Sequence, residues 1–152
     1  MATKVLMVCL GNICRSPLAE GILQSKIKSN NIIVDSAGTG GFHIGSKPDS
    51  RSIAVGLKYN IDINHQRCRK FTAQDFKDFD FIYVMDYSNY KNVTALADNE
   101  EEISKVRLLL EGTDTELKEV PDPYYDHDDG FEHVFHLIDK ACNIIAKKLE
   151  AN

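Results

Sequence analysis

Cys9 and Arg15 are separated by five residues in the run Cys9-Leu10-Gly11-Asn12-Ile13-Cys14-Arg15-Ser16, and the hydroxyl of Ser16 follows directly. Arginine is the side chain that grips an oxyanion through two parallel N–H bonds. Cysteine is a nucleophile once it is a thiolate. The apolar run Val5-Leu6-Met7-Val8 precedes these residues, and Pro17 with a helical pattern follows them. That places the run at a strand-to-helix turn, where successive backbone N–H groups converge and the helix N-terminus adds partial positive charge. A phosphate fits such a cradle, bound by Arg15 and the amides from Leu10 to Arg15. The same field favours the thiolate of Cys9. A nucleophile at the base of an anion cradle points to covalent phosphoryl transfer to sulfur.

Other readings of the run are weaker. Cys9 and Cys14 have four residues between them, more than in the usual short zinc pair, and no second pair stands at matching spacing. The loop does not end in Gly-Lys-Ser/Thr, so it is not a nucleotide-binding P-loop. Cys9 as a plain core cysteine at a strand end is the simplest alternative. Gly11 and Asn12 are residue types that tolerate positive φ, which a tight cradle demands. Ser16 suits either a hydroxyl donor to the Cys9 sulfur or a helix N-cap.

The elements that position these residues read as alternating strands and helices. Strands are expected over residues 4–8, 32–34, 79–85 and 106–110. Helices are expected over 15–28, 50–59, 88–97 and 130–149, with a short one beginning over 72–76 with Thr72 as its cap. Asp49 or Ser50 is expected to cap the second helix, and Pro17 sits in the first turn of the first helix, where its missing N–H costs nothing. In the last helix Val134, Leu137, Ile138, Ala141, Ile145 and Leu149 recur at helical spacing. Residues 38–48 and the acidic stretch 111–129 read as loops. Such alternation implies an α/β fold, a parallel sheet covered on both faces, with ligands beyond the carboxyl ends of the strands.

The chain has 152 residues, enough for one domain spanning residues 1–152 with a sizeable core. A net charge of −5, with no basic run, argues against a nucleic-acid partner. No apolar stretch approaches membrane-spanning length, and Met1-Ala2-Thr3-Lys4 leads straight into the first strand, so neither membrane insertion nor a signal peptide is expected. Four cysteines, two of them in one loop, fit a reducing cytoplasm better than a secreted disulfide framework.

With these segments in view, the chain resembles the low-molecular-weight protein tyrosine phosphatase family. The likeness rests on Cys9 to Pro17 and on Asp35-Ser36-Ala37-Gly38-Thr39, Pro48-Asp49-Ser50-Arg51, Phe81-Ile82-Tyr83-Val84-Met85-Asp86 and Asp122-Pro123-Tyr124-Tyr125. It covers essentially the whole chain. The resemblance implies a four-stranded parallel sheet in order 2-1-3-4. It implies hydrolysis of phosphotyrosine in a protein substrate through a phosphocysteine at Cys9, with Arg15 on the phosphate and Asp122 as general acid and base. It further implies that Asn12 is braced by Ser36 and His65. It implies a reversible disulfide between Cys9 and Cys14, against which a plain packing role for Cys14 stays open. Ile13, Tyr124 and Tyr125 would wall a slot for an aromatic ring, with Phe42 opposite.

Pro123 biases Asp122 to extended backbone and stiffens its loop, which suits an acid that must reach over the cradle. Asp126, His127, Asp128, Asp129, His133 and His136 form an acidic, histidine-containing cluster without an established metal-ligand spacing, so a solvated face is the better reading. No cofactor or metal is expected, because Arg15 and the loop amides already supply positive charge.

Three rival functions remain at this point. A thiol-linked arsenate reductase of the same fold needs relay cysteines, generally just after the third strand, where this chain has Val84-Met85-Asp86-Tyr87. Phosphoarginine phosphatases resembling this chain carry Thr where Ile13 stands. A phosphotyrosine-binding module would not need Cys9 and Asp122 together.

Overall fold

A computed structural model describes the backbone of residues 2–124 and 128–151, and the side chains of all of these but Asp128. Tyr125, Asp126 and His127 therefore lie outside the described residues, as does the side chain of Asp128.

Among the described residues ten elements follow in chain order: β1 Thr3–Cys9, α1 Arg15–Lys26, β2 Ile32–Gly38, α2 Ser50–Lys58, α3 Asp75–Asp78, β3 Phe81–Val84, α4 Tyr87–Thr94, α5 Glu100–Ser104, β4 Val106–Leu108 and α6 Asp128–Glu150. The strands form one sheet in the order β2-β1-β3-β4, and every pairing is parallel. This is the expected fold class and strand order.

β1 is central and buried on both faces from Val5 to Cys9, which is why it reads as a continuous apolar run. On one face Val5 and Met7 pack with Leu18 and Ile22 of α1 and with Val134, Ile138 and Cys142 of α6. On the other, Leu6 and Val8 pack with Phe71, Phe76, Phe79 and Val93. The register Val8↔Ala37 and Val8↔Val84 brings the carboxyl ends of β2, β1 and β3 level. The loops leaving β1 and β3 therefore start side by side.

Some boundaries differ from expectation. β2 runs on to Gly38, because Asp35 to Gly38 pair with Leu6 to Cys9 although the segment looks polar in isolation. A Cβ on Gly38 would sit 2.8 Å from the Leu10 carbonyl oxygen and 3.0 Å from the Asn12 nitrogen, so only glycine lets this strand end pass beneath the loop. Asp49, not Ser50, caps α2, accepting from the Arg51 N–H at 2.9 Å. α3 starts later than expected, with Gln74 and not Thr72 at the capping position; Thr72 lies before it and donates its N–H to the Asp75 carboxylate. α5 is an element the sequence reading lacks; its acidic first turn, capped by Asn99, has too few apolar residues to show periodicity. α6 starts at Asp128 instead of 130, and α4 ends at Thr94 instead of 97. Among the described residues no helix is long and apolar enough to cross a membrane.

Candidate active site

The loop from Leu10 to Cys14 joins the buried end of β1 to α1. It folds back on itself through Asn12, whose φ is 56°. Asparagine tolerates that conformation better than most residues. Gly11 was expected to share it but has no positive φ, and a Cβ there would meet its neighbours only at ordinary contact distance, 3.4 Å from the His43 ring.

Four hydrogen bonds hold Asn12 in place. Its Nδ2 donates to Ser16 Oγ at 2.8 Å and to Ser36 Oγ at 3.1 Å. Its Oδ1 accepts from the Arg69 N–H at 3.0 Å, and its carbonyl accepts from the buried Cys68 thiol. Ser36 thus braces Asn12 as expected. None of the four bonds comes from His65, which is exposed; the other two come from the Arg69 N–H and the Cys68 thiol. The segment is carried there by a backbone bond from Gly38 to the Arg69 carbonyl, a tertiary pairing with no local signal.

Cys9 Sγ lies 3.0 Å from Ser16 Oγ, and the Ser16 N–H points at the same sulfur from 3.5 Å. Ser16 is inside α1, so the N-cap reading fails; the capping position is Cys14, and no side chain caps there. The start of α1 therefore brings the Ser16 N–H and the positive end of the helix to the Cys9 sulfur.

Arg15 is 2% exposed, and its geometry is imposed from behind. Nη1 donates to Asp86 Oδ2 at 2.7 Å and to the Val120 carbonyl at 3.0 Å. Nη2 lies 3.7 Å from Asp122 Oδ2. Burial works against the Arg15 charge, but Cys9, Asp86 and Asp122 outweigh it and hold its pKa above the ordinary value. Cys14 is buried in the same loop. Burial, then the charges of Asp49, Cys9 and Asp122, push it up to about 12, so it is neutral at physiological pH. All four cysteines are free.

A cavity of about 310 Å³ opens above the cradle, with Cys9 at its base and Ile13, Phe42, His43, Asp122 and Tyr124 around it. Phe42 is 74% exposed and Tyr124 38%, so both rings stand at the mouth. Of the expected site, Cys9, Leu10, Gly11, Ile13, Cys14, Arg15, Phe42, Asp122 and Tyr124 line this cavity, while Asn12 and Ser16 are buried and bonded to each other beside Cys9; Tyr125 lies outside the described residues. His136 pairs elsewhere, with Tyr59 and Glu132. Among the described residues no three metal-ligating side chains gather.

Sequence reasoning missed Asp86, His43, Asp49 and Arg51 as parts of this site. Asp86 carried a usable signal: it ends the apolar run of β3 and starts a helix, at the same sheet edge as Cys9.

A family model described as low molecular weight phosphotyrosine protein phosphatase matches residues 4–152. The enzyme of that name from Homo sapiens is 38% identical over 154 residues, covering 97% of this chain and 96% of its own. The one from Schizosaccharomyces pombe is 37% identical over 151 residues, covering 93% and 94%. A crystal structure of a protein tyrosine phosphatase from Entamoeba histolytica, with Hepes in its active site, superposes with a TM-score of 0.93 at 37% identity, covering 99% of this chain and 98% of that one. With this fold, this loop and these relatives, the chain belongs to the low molecular weight phosphotyrosine protein phosphatase family and is an enzyme of that class.

Proposed function

We propose that this enzyme hydrolyses phosphotyrosine in protein substrates through a phosphocysteine on Cys9. One observation carries the reading: Cys9 Sγ sits at the base of a cavity with Arg15 bridging from Asp86 to Asp122 beside it. In the first step the sulfur attacks phosphorus, the S–P bond forms and the P–O bond to the phenol breaks. Arg15 and the loop amides take up the charge on the equatorial oxygens. Asp122 gives its proton to the departing phenolate. In the second step water attacks phosphorus, Asp122 takes a proton from it, the S–P bond breaks, and phosphate leaves with the thiolate restored. The Ser16 hydroxyl and N–H support the sulfur as nucleophile and as leaving group.

The depth of Cys9 below Ile13, Phe42 and Tyr124 favours a phosphoryl group on a long aromatic stem. Phosphoserine would hold its phosphate short of the sulfur. We place the enzyme in the reducing cytoplasm, since its chemistry needs a reduced Cys9.

Initial rates on phosphotyrosine, phosphoserine, phosphoarginine and arsenate, measured side by side, test the reading. Phosphotyrosine is expected to lead by at least about tenfold, a difference of about 1.4 kcal/mol in barrier. Cys9→Ser should lose turnover yet retain vanadate binding. Comparable rates on phosphotyrosine and phosphoserine, or substantial turnover by Cys9→Ser, would refute it.

A further inference from the structure

Arg51 is not among the residues that line the cavity over the sulfur, yet it joins the two halves of the site. It is the second residue of α2, and its N–H and Nε both donate to Asp49 Oδ1, at 2.9 and 3.0 Å. Nη2 donates to Asp49 Oδ2 at 3.0 Å, completing a two-pronged fork. The same Nη2 donates to the Tyr124 carbonyl at 2.8 Å. One carboxylate thus caps the helix and fixes the guanidinium plane. The Phe131 ring of α6 lies 4.5 Å from the guanidinium carbon and the Tyr124 ring 5.6 Å, so aromatic rings further limit its movement.

The links on either side reach the reacting groups. The Asp49 N–H donates to the Ile13 carbonyl at 2.8 Å, tying the start of α2 to the cradle. The Tyr124 N–H donates to Asp122 Oδ1 at 3.1 Å, so the backbone that Arg51 holds in turn orients the Asp122 carboxylate. Pro123 keeps the short connection between them stiff. A continuous path therefore runs from the Ile13 carbonyl through Asp49, Arg51 and Tyr124 to Asp122. The acid loop is long and polar, and Asp122 itself is 45% exposed at its side chain.

We propose that Arg51 is a positioning residue that registers the Asp122 loop against the phosphate cradle. It touches neither phosphate nor leaving group; it acts through Tyr124 on Asp122, and so rests on the reading of Asp122 as the acid. Loss of Arg51 leaves the cradle, Cys9 and Arg15 in place and lets the acid drift. A displacement of about 1 Å costs on the order of 10²-fold in a positioned reaction. That cost falls only where a proton is needed, on a leaving group as basic as the tyrosine phenolate.

The test measures the rate of phosphoenzyme formation on phosphotyrosine and on a dinitrophenyl phosphate, whose phenol leaves unaided. Wild type, Arg51→Met, Arg51→Lys, Asp122→Asn and the double variant Arg51→Met/Asp122→Asn are compared. Arg51→Met is expected to lose roughly 10- to 100-fold on phosphotyrosine and under about threefold on the activated ester. Competitive inhibition by vanadate should stay near wild type. Arg51→Lys keeps a charge without the fork and should fall in between. The double variant should be no slower than Asp122→Asn, because both changes remove one function. Equal losses on both esters, weakened vanadate inhibition, or additive losses in the double variant would overturn the proposal while leaving Asp122 as the acid. If Asp122→Asn itself shows no dependence on the leaving group, the acid assignment fails and the proposal fails with it.

Discussion

At the scale of single residues, the site depends on how each charge is held. Arg15 is almost fully buried, and a buried charge needs partners to offset its desolvation. Asp86 is the first of these partners and has a second task. Its Oδ1 accepts the Asn89 N–H at 2.8 Å while Asn89 Oδ1 accepts the Asp86 N–H, a reciprocal cap at the start of α4. The two tasks are separable. Asp86→Asn keeps a side-chain oxygen for the cap but removes the charge facing Arg15. Inhibition by phosphate is expected to weaken about tenfold, equivalent to about 1.4 kcal/mol, with little loss of fold. Asp86→Ala removes the cap too and should cost about 1 kcal/mol more in urea unfolding. If Asp86→Asn binds phosphate as wild type does, the carboxylate does not position Arg15.

At the scale of elements, α1 and β2 are coupled through a polar chain beneath the loop. Glu20 of α1 accepts from Ser36 Oγ of β2 at 2.7 Å, and Ser36 accepts from Asn12, which also bonds Ser16 beside Cys9. Burial pushes the Glu20 carboxyl up to about 7; Asp35 adds to the shift, while Ser36 and Arg69 oppose it. An unfolded glutamate titrates near 4.3. The folded state therefore holds the proton between these values, and stability falls as pH rises from about 4.3 to about 7. Above that window the charged, half-shielded carboxylate is a standing cost, on the order of 4 kcal/mol at most. Glu20→Gln retains an acceptor for Ser36 without the charge. It should raise stability by about 1–3 kcal/mol at pH 8 and change little at pH 5, read by urea unfolding at both values. A stability change that does not depend on pH would exclude Glu20 as the titrating group.

At the scale of the whole molecule, the sheet separates two apolar layers, and α6 closes the one that also holds α1. Ile138 is fully buried in that layer, about two helical turns beyond the Phe131 that touches Arg51. Ile138→Ala should therefore remove stability without touching chemistry. A loss of 2–5 kcal/mol is typical for such a truncation. The KM of the protein that remains folded should match wild type, as measured below the unfolding transition. A changed KM would mean that α6 packing reaches the cradle.

Much of this was legible in order along the chain. The Cys9–Ser16 run is local: sequence neighbours form one turn, so residue types and spacing alone pointed to an anion cradle with a nucleophile. Alternating apolar strands and helices likewise implied a parallel sheet, because β1 and the inner faces of α1 and α6 are buried enough to write their periods into the sequence. What the chain order left open was every relation across large separations. Asp86 reaches Arg15 from 71 residues away, Arg69 and Cys68 reach Asn12 from 57 and 56, and Arg51 reaches Tyr124 from 73. Such bonds leave no periodic trace, and a bracing histidine and a bracing backbone N–H look alike until the strands are paired. The polar end of β2 and the acidic turn of α5 were missed for the same reason: partners elsewhere in the fold stabilise them, against weak local preference. The sequence determined which residues share the proposed cradle, because they are neighbours in one turn; apart from Ser36, which the resemblance named, the tertiary structure decided what holds them still.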